Sequence, residues 1–227
     1  MHSHTETVRP RRVALYPLLF VALWSTGFIG AKFGLPYAEP LTFLSLRYAI
    51  VLVLMGALAW YQRAAWPGTV REWLHIGVSG VLVHGVYLGG VFIAISHGLP
   101  AGVTAIVVGL QPVLTALGAG LLLGERVRPT QWAGLALGFA GVTLVVAHKV
   151  VGNSSGGMAL SMLVPAGIAL LGITVGTLYQ KRFCPSFDLR TGSIIQFLPT
   201  LALTGLAAMA TEARVVQWTP SCACALG

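Results

Sequence analysis

Residues 101–147 contain two uncharged apolar runs, AGVTAIVVGLQPVLTALGAGLLL (101–123) and QWAGLALGFAGVTLVVA (131–147), joined by the turn GERVRPT (124–130). The first run has 23 residues. As an α-helix with a rise of about 1.5 Å per residue it would be roughly 35 Å long, enough to cross a hydrocarbon core of about 30 Å. The stretch therefore predicts a hairpin of two membrane-spanning helices, whose turn lies on the side of the membrane that retains positive charge.

The composition of the whole chain also indicates a membrane protein. Of its 227 residues, 56% are hydrophobic and 9% are charged, whereas soluble domains carry about 25% charged residues. The net charge of +8 does not predict nucleic-acid binding, because the basic residues stand in short clusters and form no basic face. No HExxH, GxSxG or phosphate-binding glycine loop is present, and His75, His84 and His97 are too far apart along one helix to share a metal. We therefore expect no enzyme, no cofactor and no metal site.

Seven apolar segments are long enough to span the bilayer as helices. They are residues 13–33, 41–61, 73–96, 101–123, 131–147, 158–180 and 190–211. With the N-terminus in the cytoplasm, ten of the 14 Lys and Arg residues fall on the cytoplasmic side and two outside, as the positive-inside rule requires. The fold class is therefore an all-α, polytopic transmembrane helix bundle of about seven spans with a cytoplasmic N-terminus.

A weak internal repeat divides these spans into two halves. A shift of 149 positions places Gly27 over Gly176, Lys32 over Lys181, Glu39 over Asp188, Thr42 over Thr191, Arg47 over Gln196 and Gly56 over Gly205. The matches are few, and coincidence is the alternative explanation. The resulting division is a cytoplasmic tail (1–12), a complete five-helix repeat (13–148), a linker (149–157) and an incomplete second repeat (158–227). Because five is odd, the second repeat would be inverted relative to the first.

Several short motifs are shared with a known family. They are LWSTGF at 23–28 with Lys32, Pro40 followed by LRY at 46–48, Pro112, LGER at 123–126, QWAG at 131–134, and Gly141-Val142. Over residues 13 to about 218 the chain resembles the EamA-type members of the drug/metabolite transporter superfamily, and the hairpin motifs are the specific part. The resemblance implies ten spans in two inverted repeats, export of small metabolites or amino acids from the bacterial cytoplasm, and an inner-membrane location. It also gives structural roles to Pro112, Gly124, Glu125 and Gly134 in the hairpin.

Three side chains near the middle of predicted spans are candidates for contact with a substrate. Trp24 lies twelfth in its span of 21 residues, away from the interfacial belts where Trp is common, and would either stack on a substrate or pack between helices. His84 is near the middle of the third span, with Tyr87 three residues later. A polar pair at this depth is costly unless it faces a cavity or a partner. We predict that both line a cavity, with a purely structural interhelical hydrogen bond as the alternative.

Two more candidates interrupt apolar spans. Gln111 and Pro112 are at the centre of the fourth span, where the proline removes a helical hydrogen bond and either exposes backbone to a substrate or only bends the helix. Arg47 is seven residues into the second span. We predict that it contacts an anion, or else is tied to Glu39 or to a helix carbonyl. No Asp or Glu lies within any predicted span, so a carboxylate-based proton relay has no candidate.

These observations favour a secondary transporter that exports a small metabolite, amino acid or drug-like compound by alternating access. The alternative is a truncated membrane protein without transport activity, which acts at most through interactions. The partners we expect are the lipid bilayer and a small-molecule substrate, with no nucleic acid, and a homodimer is an open alternative to a single chain. The sequence does not identify the substrate or the coupling ion.

Overall fold

The structure, a computed structural model, describes residues 15–123, 129–151, 160–184, 186–220 and 222, which contain seven helices. In chain order these are α1 (Leu15–Gly34), α2 (Pro40–Tyr61), α3 (Val70–Ser96), α4 in two parts (α4a, Ala101–Val108, and α4b, Gln111–Leu123), α5 (Pro129–Val151), α6 (Leu160–Phe183) and α7 (Leu189–Thr211). The predicted tail (1–12), most of the predicted linker, Gly124 and Glu125 lie outside the described residues.

The helices are those of a polytopic membrane protein, as predicted. Five segments among the described residues are long and apolar enough to cross a membrane: Pro40–Tyr61, Val70–Ser96, Ala101–Gly120, Leu163–Phe183 and Leu189–Thr211. The helices α1 and α5 have 20 and 23 residues, which is about 30 Å or more of helix. Each of the seven predicted spans therefore corresponds to one helix.

Two of the helices are irregular near their middle. α3 is π-helical from Val81 to Leu88, and α4 is interrupted at Gly109 and Leu110. Pro112 is the second residue of α4b, where its missing N–H would have no partner within the helix. The proline thus follows a break of two residues in α4. Of the two alternatives given above for Pro112, a broken helix or a bent one, the structure has the break. The π-helical segment was not predicted, and such segments are frequent at functional sites.

The core is built around the antiparallel pair α2 and α7, which pack against each other over most of their length. Phe43 and Tyr48 of α2 are fully buried. The ring of Phe43 stacks on Phe92 of α3 with centroids 5.7 Å apart, and the ring of Tyr48 lies 5.2 Å from that of Phe197 in α7. These aromatic contacts join both halves of the chain in one core.

Glycines let several helices approach one another closely, as expected in a bilayer, where the hydrophobic drive between helices is weak. A Cβ atom on Gly80 of α3 would come within 3.0 Å of the Gln196 backbone in α7, and one on Gly90 would lie 2.7 Å from the carbonyl oxygen of Pro165 in α6. On α6, a Cβ on Gly176 would lie 2.6 Å from the Val83 side chain. Packing through glycine thus holds α3 against both α6 and α7.

The glycines of α5 differ from this expectation. Gly134 was predicted to be structural in the hairpin, and with Gly138 it forms a pair of small residues spaced for helix packing. Added Cβ atoms would meet no atom within 4 Å at either position. Gly134 therefore makes no close helix contact with the described part of this chain, because α5 lies at the edge of the bundle with Trp132, Leu137 and Phe139 exposed.

At the end of the bundle where α2 begins, the segment after α7 is fastened to the first turn of α2. The Glu212 carboxylate accepts hydrogen bonds from the backbone N–H groups of Leu41 and Thr42 and from the Thr42 hydroxyl, each at 2.7 Å. The backbone N–H of Arg214 donates to Glu39 at 2.9 Å. We call this set the Glu212 clamp. A carboxylate at a helix N-terminus satisfies otherwise unpaired N–H groups and interacts favourably with the helix dipole.

At the opposite end, the segment after α2 is fastened to the first turn of α7. The Arg190 guanidinium donates to the Gln62 side chain, and the Thr191 hydroxyl donates to the carbonyl oxygen of Ala65 at 2.7 Å. Asp188 is the N-cap of α7 and accepts from the backbone and the side chain of Arg190 at 2.9 Å. We call this set the Arg190 clamp. The first turn of α2 is therefore held by the segment that follows α7, and the first turn of α7 by the segment that follows α2.

We expect the Arg190 clamp to make stability depend on pH in the acid range. Hydrogen bonds from the Arg190 side chain lower the pKa of the Asp188 carboxyl from an ordinary value of 3.8 to about 2. Because the folded-state pKa is the lower one, the stabilisation is present above about pH 4 and is lost as the pH falls to about 2. Asp188→Asn should lower the unfolding temperature in detergent at pH 6 and have little effect at pH 2. An equal deficit at both pH values would contradict this assignment.

Candidate functional site

A cavity of about 330 Å³ lies in the interior of the bundle, between α1, α2, α3, α6 and α7. Its polar and charged lining consists of Arg47 and Tyr48 from α2 and His84 and Tyr87 from α3. Phe28, Phe92 and Phe197 add aromatic surface from three further positions. The volume is within the range of small-molecule sites, which are mostly apolar with a few placed polar groups.

The cavity is close to the midpoint of every helix that lines it. His84 is the fifteenth of 27 residues in α3, Ile173 the fourteenth of 24 in α6, and Arg47 the eighth of 22 in α2. At about 1.5 Å per residue, each lies within roughly 5 Å of its helix midpoint. In a membrane these residues would be near the middle of the bilayer, where polar side chains are rare and mark functional sites.

His84 is held in place by contacts from two other helices. The Tyr48 hydroxyl donates to the His84 carbonyl oxygen at 2.7 Å, and the imidazole stacks on the Phe197 ring with centroids 4.1 Å apart. The side chain of Gln196 lies near the imidazole. The Gln196 amide in turn donates to the Ser79 hydroxyl at 3.0 Å. These contacts fix the imidazole at the cavity wall, within the π-helical part of α3.

Arg47 brings the positive charge of this site. Arg47 lines the cavity, and no hydrogen bond or ion pair joins its side chain to another of the described residues. The alternative tie to Glu39 is absent, because the Glu39 carboxylate accepts the backbone N–H of Arg214 in the Glu212 clamp. No acidic side chain is part of the cavity lining in the described chain. The cavity is therefore a positively charged site.

The structure brings together three of the five residues that the sequence suggested for substrate contact. Arg47, His84 and Tyr87 line one cavity. Gln111 does not line it: its side-chain amide donates to the Thr177 hydroxyl of α6 at 3.3 Å, beside the break in α4. Trp24 belongs to α1, but its side chain is outside the described part of the structure.

Tyr48, Gln196 and Phe197 were not singled out as site residues, although the sequence held a signal for them. The shift of 149 positions that places Arg47 over Gln196 also places Tyr48 over Phe197. In the structure the rings of this second pair are in contact, and Tyr48 and Phe197 both line the cavity. Two residues that the shift superposes thus meet at the cavity. Among the described residues, no three His, Cys, Asp or Glu side chains are grouped closely enough to bind a metal.

A bundle of long apolar helices around a cavity of small-molecule size, lined by one arginine, defines this chain as a multi-span membrane protein. The EamA-like transporter family model matches residues 11–147. This match covers more than half of the 227 residues, and the chain belongs to the EamA-like transporter family.

Relatives of known name agree with this assignment. An uncharacterized transporter of Bacillus subtilis, YvbV, is 31% identical over 75% of this chain and 54% of its own length. A probable amino-acid metabolite efflux pump of Salmonella typhimurium is 30% identical over 76% of this chain and 54% of its own length. The uncharacterized inner membrane transporter YedA of Escherichia coli is 26% identical over 80% and 56%. The chain spans about half the length of these relatives.

A solved crystal structure of another protein has the same fold. Its TM-score is 0.62, with 21% sequence identity, over 89% of this chain and 72% of that chain. At this level of identity the likeness concerns the fold alone.

Proposed function

We propose that the chain is part of a secondary transporter that exports a small metabolite by alternating access, and that the central cavity is its substrate site. The observation that carries the proposal is the position of Arg47, His84 and Tyr87 around one cavity near the helix midpoints. Transporters bind their substrates near the bilayer midplane, between structural repeats. The cavity has this position, since α1 to α3 come from the first half of the chain and α6 and α7 from the second.

We further propose that residues 13–148 and 158–227 are a complete and an incomplete repeat of inverted topology. The support is the correspondence of Tyr48 with Phe197 at the cavity and the similar design of the two clamps. Gln62 and Glu212 follow α2 and α7 directly, and each accepts hydrogen bonds from the first turn of the other helix. The family match ends at residue 147, next to the proposed boundary.

The proposed setting is a bacterial inner membrane, with the N-terminus in the cytoplasm. One relative is named as an inner membrane transporter. In the topology predicted from the sequence, most of the basic residues lie on the same side of the membrane as the N-terminus. Trp24 and Gln111 are kept as proposed contacts in other states of the transport cycle. The break in α4 beside Gln111 supports this role, because discontinuous helices often form transport sites.

The proposal predicts that His84 is needed for transport and that His97 is not. Proteoliposomes containing the chain would be loaded with a panel of labelled amino acids and simple organic cations, and the efflux rate of each would be measured. We expect His84→Ala to lower the efflux of the transported solute at least tenfold, a loss of about 1.4 kcal/mol. His97→Ala is the matched control, because His97 is exposed in the turn after the same helix and does not line the cavity.

Equal effects of the two substitutions would contradict a substrate site at His84. No efflux of any solute above that of empty liposomes would favour the second candidate, a membrane protein with an interaction role and no transport.

A further inference from the structure

The charges in and around the cavity are distributed very unevenly. Among the described residues that line it, Arg47 is the one with a charged side chain at neutral pH. The acidic residues in the described chain all lie at helix ends or beyond them, at Glu39, Glu72, Asp188 and Glu212. A ligand in the cavity therefore meets a fixed positive charge and no carboxylate. Such a site can neutralise an anion but offers no ion-pair partner to an ammonium group.

The rest of the cavity wall is apolar and largely aromatic. The rings of Phe28, Phe92 and Phe197 line it, with aliphatic side chains such as Val51 and Ile173. Tyr48 directs its hydroxyl to the His84 carbonyl, so its ring presents mainly apolar surface. Apolar surface of this extent is removed from water only by a ligand with an apolar body.

We propose that this cavity binds amphipathic carboxylates that have an apolar or aromatic body, and that an amino group on the ligand is not required. This rests on the proposed function, since it names the substrate class of the same site. The guanidinium of Arg47 would bind the carboxylate, because its planar fork of N–H donors matches a carboxylate in a bidentate arrangement. The aromatic wall would bind the body of the ligand.

The small size of the cavity makes the sign of the ligand charge decisive. A volume of about 330 Å³ equals a sphere about 9 Å across, so a charge anywhere inside is close to Arg47. At an effective dielectric constant of about 20, two unit charges 8 Å apart change an equilibrium constant by about 30-fold. Aromatic rings also attract cations, but here a cation on those rings would be repelled by the guanidinium at the same short range.

Three probes with the same phenyl ring separate the contributions of the two charged groups. 3-Phenylpropionate has only the carboxylate, 2-phenylethylamine only the ammonium group, and phenylalanine has both. Their dissociation constants would be measured with the full chain in lipid nanodiscs. We expect 3-phenylpropionate to bind at least as tightly as phenylalanine, whose ammonium group is repelled by Arg47, and 2-phenylethylamine to bind at least about 30-fold more weakly than 3-phenylpropionate.

Variants of Arg47 test the source of this preference. Arg47→Gln should weaken 3-phenylpropionate about 30-fold and remove the difference from the amine, whereas Arg47→Lys should retain the preference at lower affinity. Lys32→Gln is the matched control, because it removes a positive charge from an exposed position outside this cavity. Unfolding temperatures of the unliganded variants would show whether each is folded. If Arg47→Gln does not fold, Arg47→Lys still tests the role of the side chain.

Several results would overturn the proposal. These are amine binding as tight as carboxylate binding, phenylalanine binding more than tenfold tighter than 3-phenylpropionate, a preference that survives Arg47→Gln, or no binding of any probe. The efflux panel distinguishes a failure of the proposed substrate class from a failure of the proposed transport function. Efflux of cations without binding of carboxylates would overturn the substrate class and leave transport standing. Binding of carboxylates without any efflux would overturn transport and leave the ligand class of the cavity standing.

Discussion

Replacing Gly80 by alanine is expected to destabilise the protein more than the same substitution at any other glycine of α3. The new Cβ would lie within 3.0 Å of the Cα, Cβ and carbonyl oxygen of Gln196, and a helix backbone cannot move aside as a flexible side chain can. Overpacking of a close-packed interior costs about 1 to 3 kcal/mol, and we expect a value near the top of this range. The free energy of unfolding would be measured in mixed detergent micelles.

Gly56→Ala is the control for this experiment. Gly56 is within α2, and a Cβ added there would meet no atom within 4 Å. Alanine is favoured over glycine inside a helix by about 0.5 to 1 kcal/mol, so this variant should be as stable as the wild type or slightly more stable. Equal stability of both variants would mean that α3 and α7 are farther apart in solution than the structure has them.

Gly80→Ala should also impair the cavity. Gln196 donates a hydrogen bond to Ser79 and lies near His84, so displacing its backbone would disturb the groups around the imidazole. The partially destabilised variant is therefore expected to lose ligand affinity even under conditions in which it remains folded.

Replacing Glu212 by glutamine is expected to be the second most damaging change. The carboxylate accepts three hydrogen bonds of 2.7 Å from Leu41 and Thr42, and two of the donors are N–H groups at the start of α2. An amide can accept with one oxygen only and brings no negative charge to the helix N-terminus. Because hydrogen bonds to charged groups are worth about 1.5 to 3 kcal/mol, we expect a loss of about 2 kcal/mol.

Glu72→Gln is the matched control for Glu212→Gln. Glu72 forms a capping box with Thr69 at the start of its own helix, and glutamine can take the same role at that position. We expect its effect on the unfolding free energy to be within about 0.5 kcal/mol. If the two substitutions cost the same, the Glu212 clamp does not contribute to the stability of the folded chain.

The sequence predicted the helices well because lipid imposes a minimum length on each apolar run. Arg47, His84 and Tyr87 were among the five candidates for substrate contact because they interrupt apolar segments, and the structure has these three around one cavity. The sequence did not predict which face of each helix points inward. Gln111 has the right depth, yet it contacts Thr177 and not the cavity, because the rotation of a helix depends on its neighbours.

The π-helical segment of α3 shows a second limit of sequence analysis. Val81–Leu88 is apolar with one histidine and one tyrosine, and nothing in its composition distinguishes a π-helix from an α-helix. The irregular geometry depends on contacts with other helices, such as the hydrogen bond from Tyr48 to the His84 carbonyl. Tyr48 and Phe197 were overlooked because an aromatic residue in an apolar span does not stand out by composition, and the one signal for them was their correspondence under the shift of 149 positions.

The two clamps have a consequence for how the molecule can open. A helix pair fastened at one end can separate at the other, but α2 and α7 are fastened at both ends, and separating them would break hydrogen bonds made by a charged side chain at each end. We therefore expect this pair to stay together as a rigid frame while α1, α3, α4 and α6 tilt around it, so that spin labels across the frame would report one distance throughout turnover.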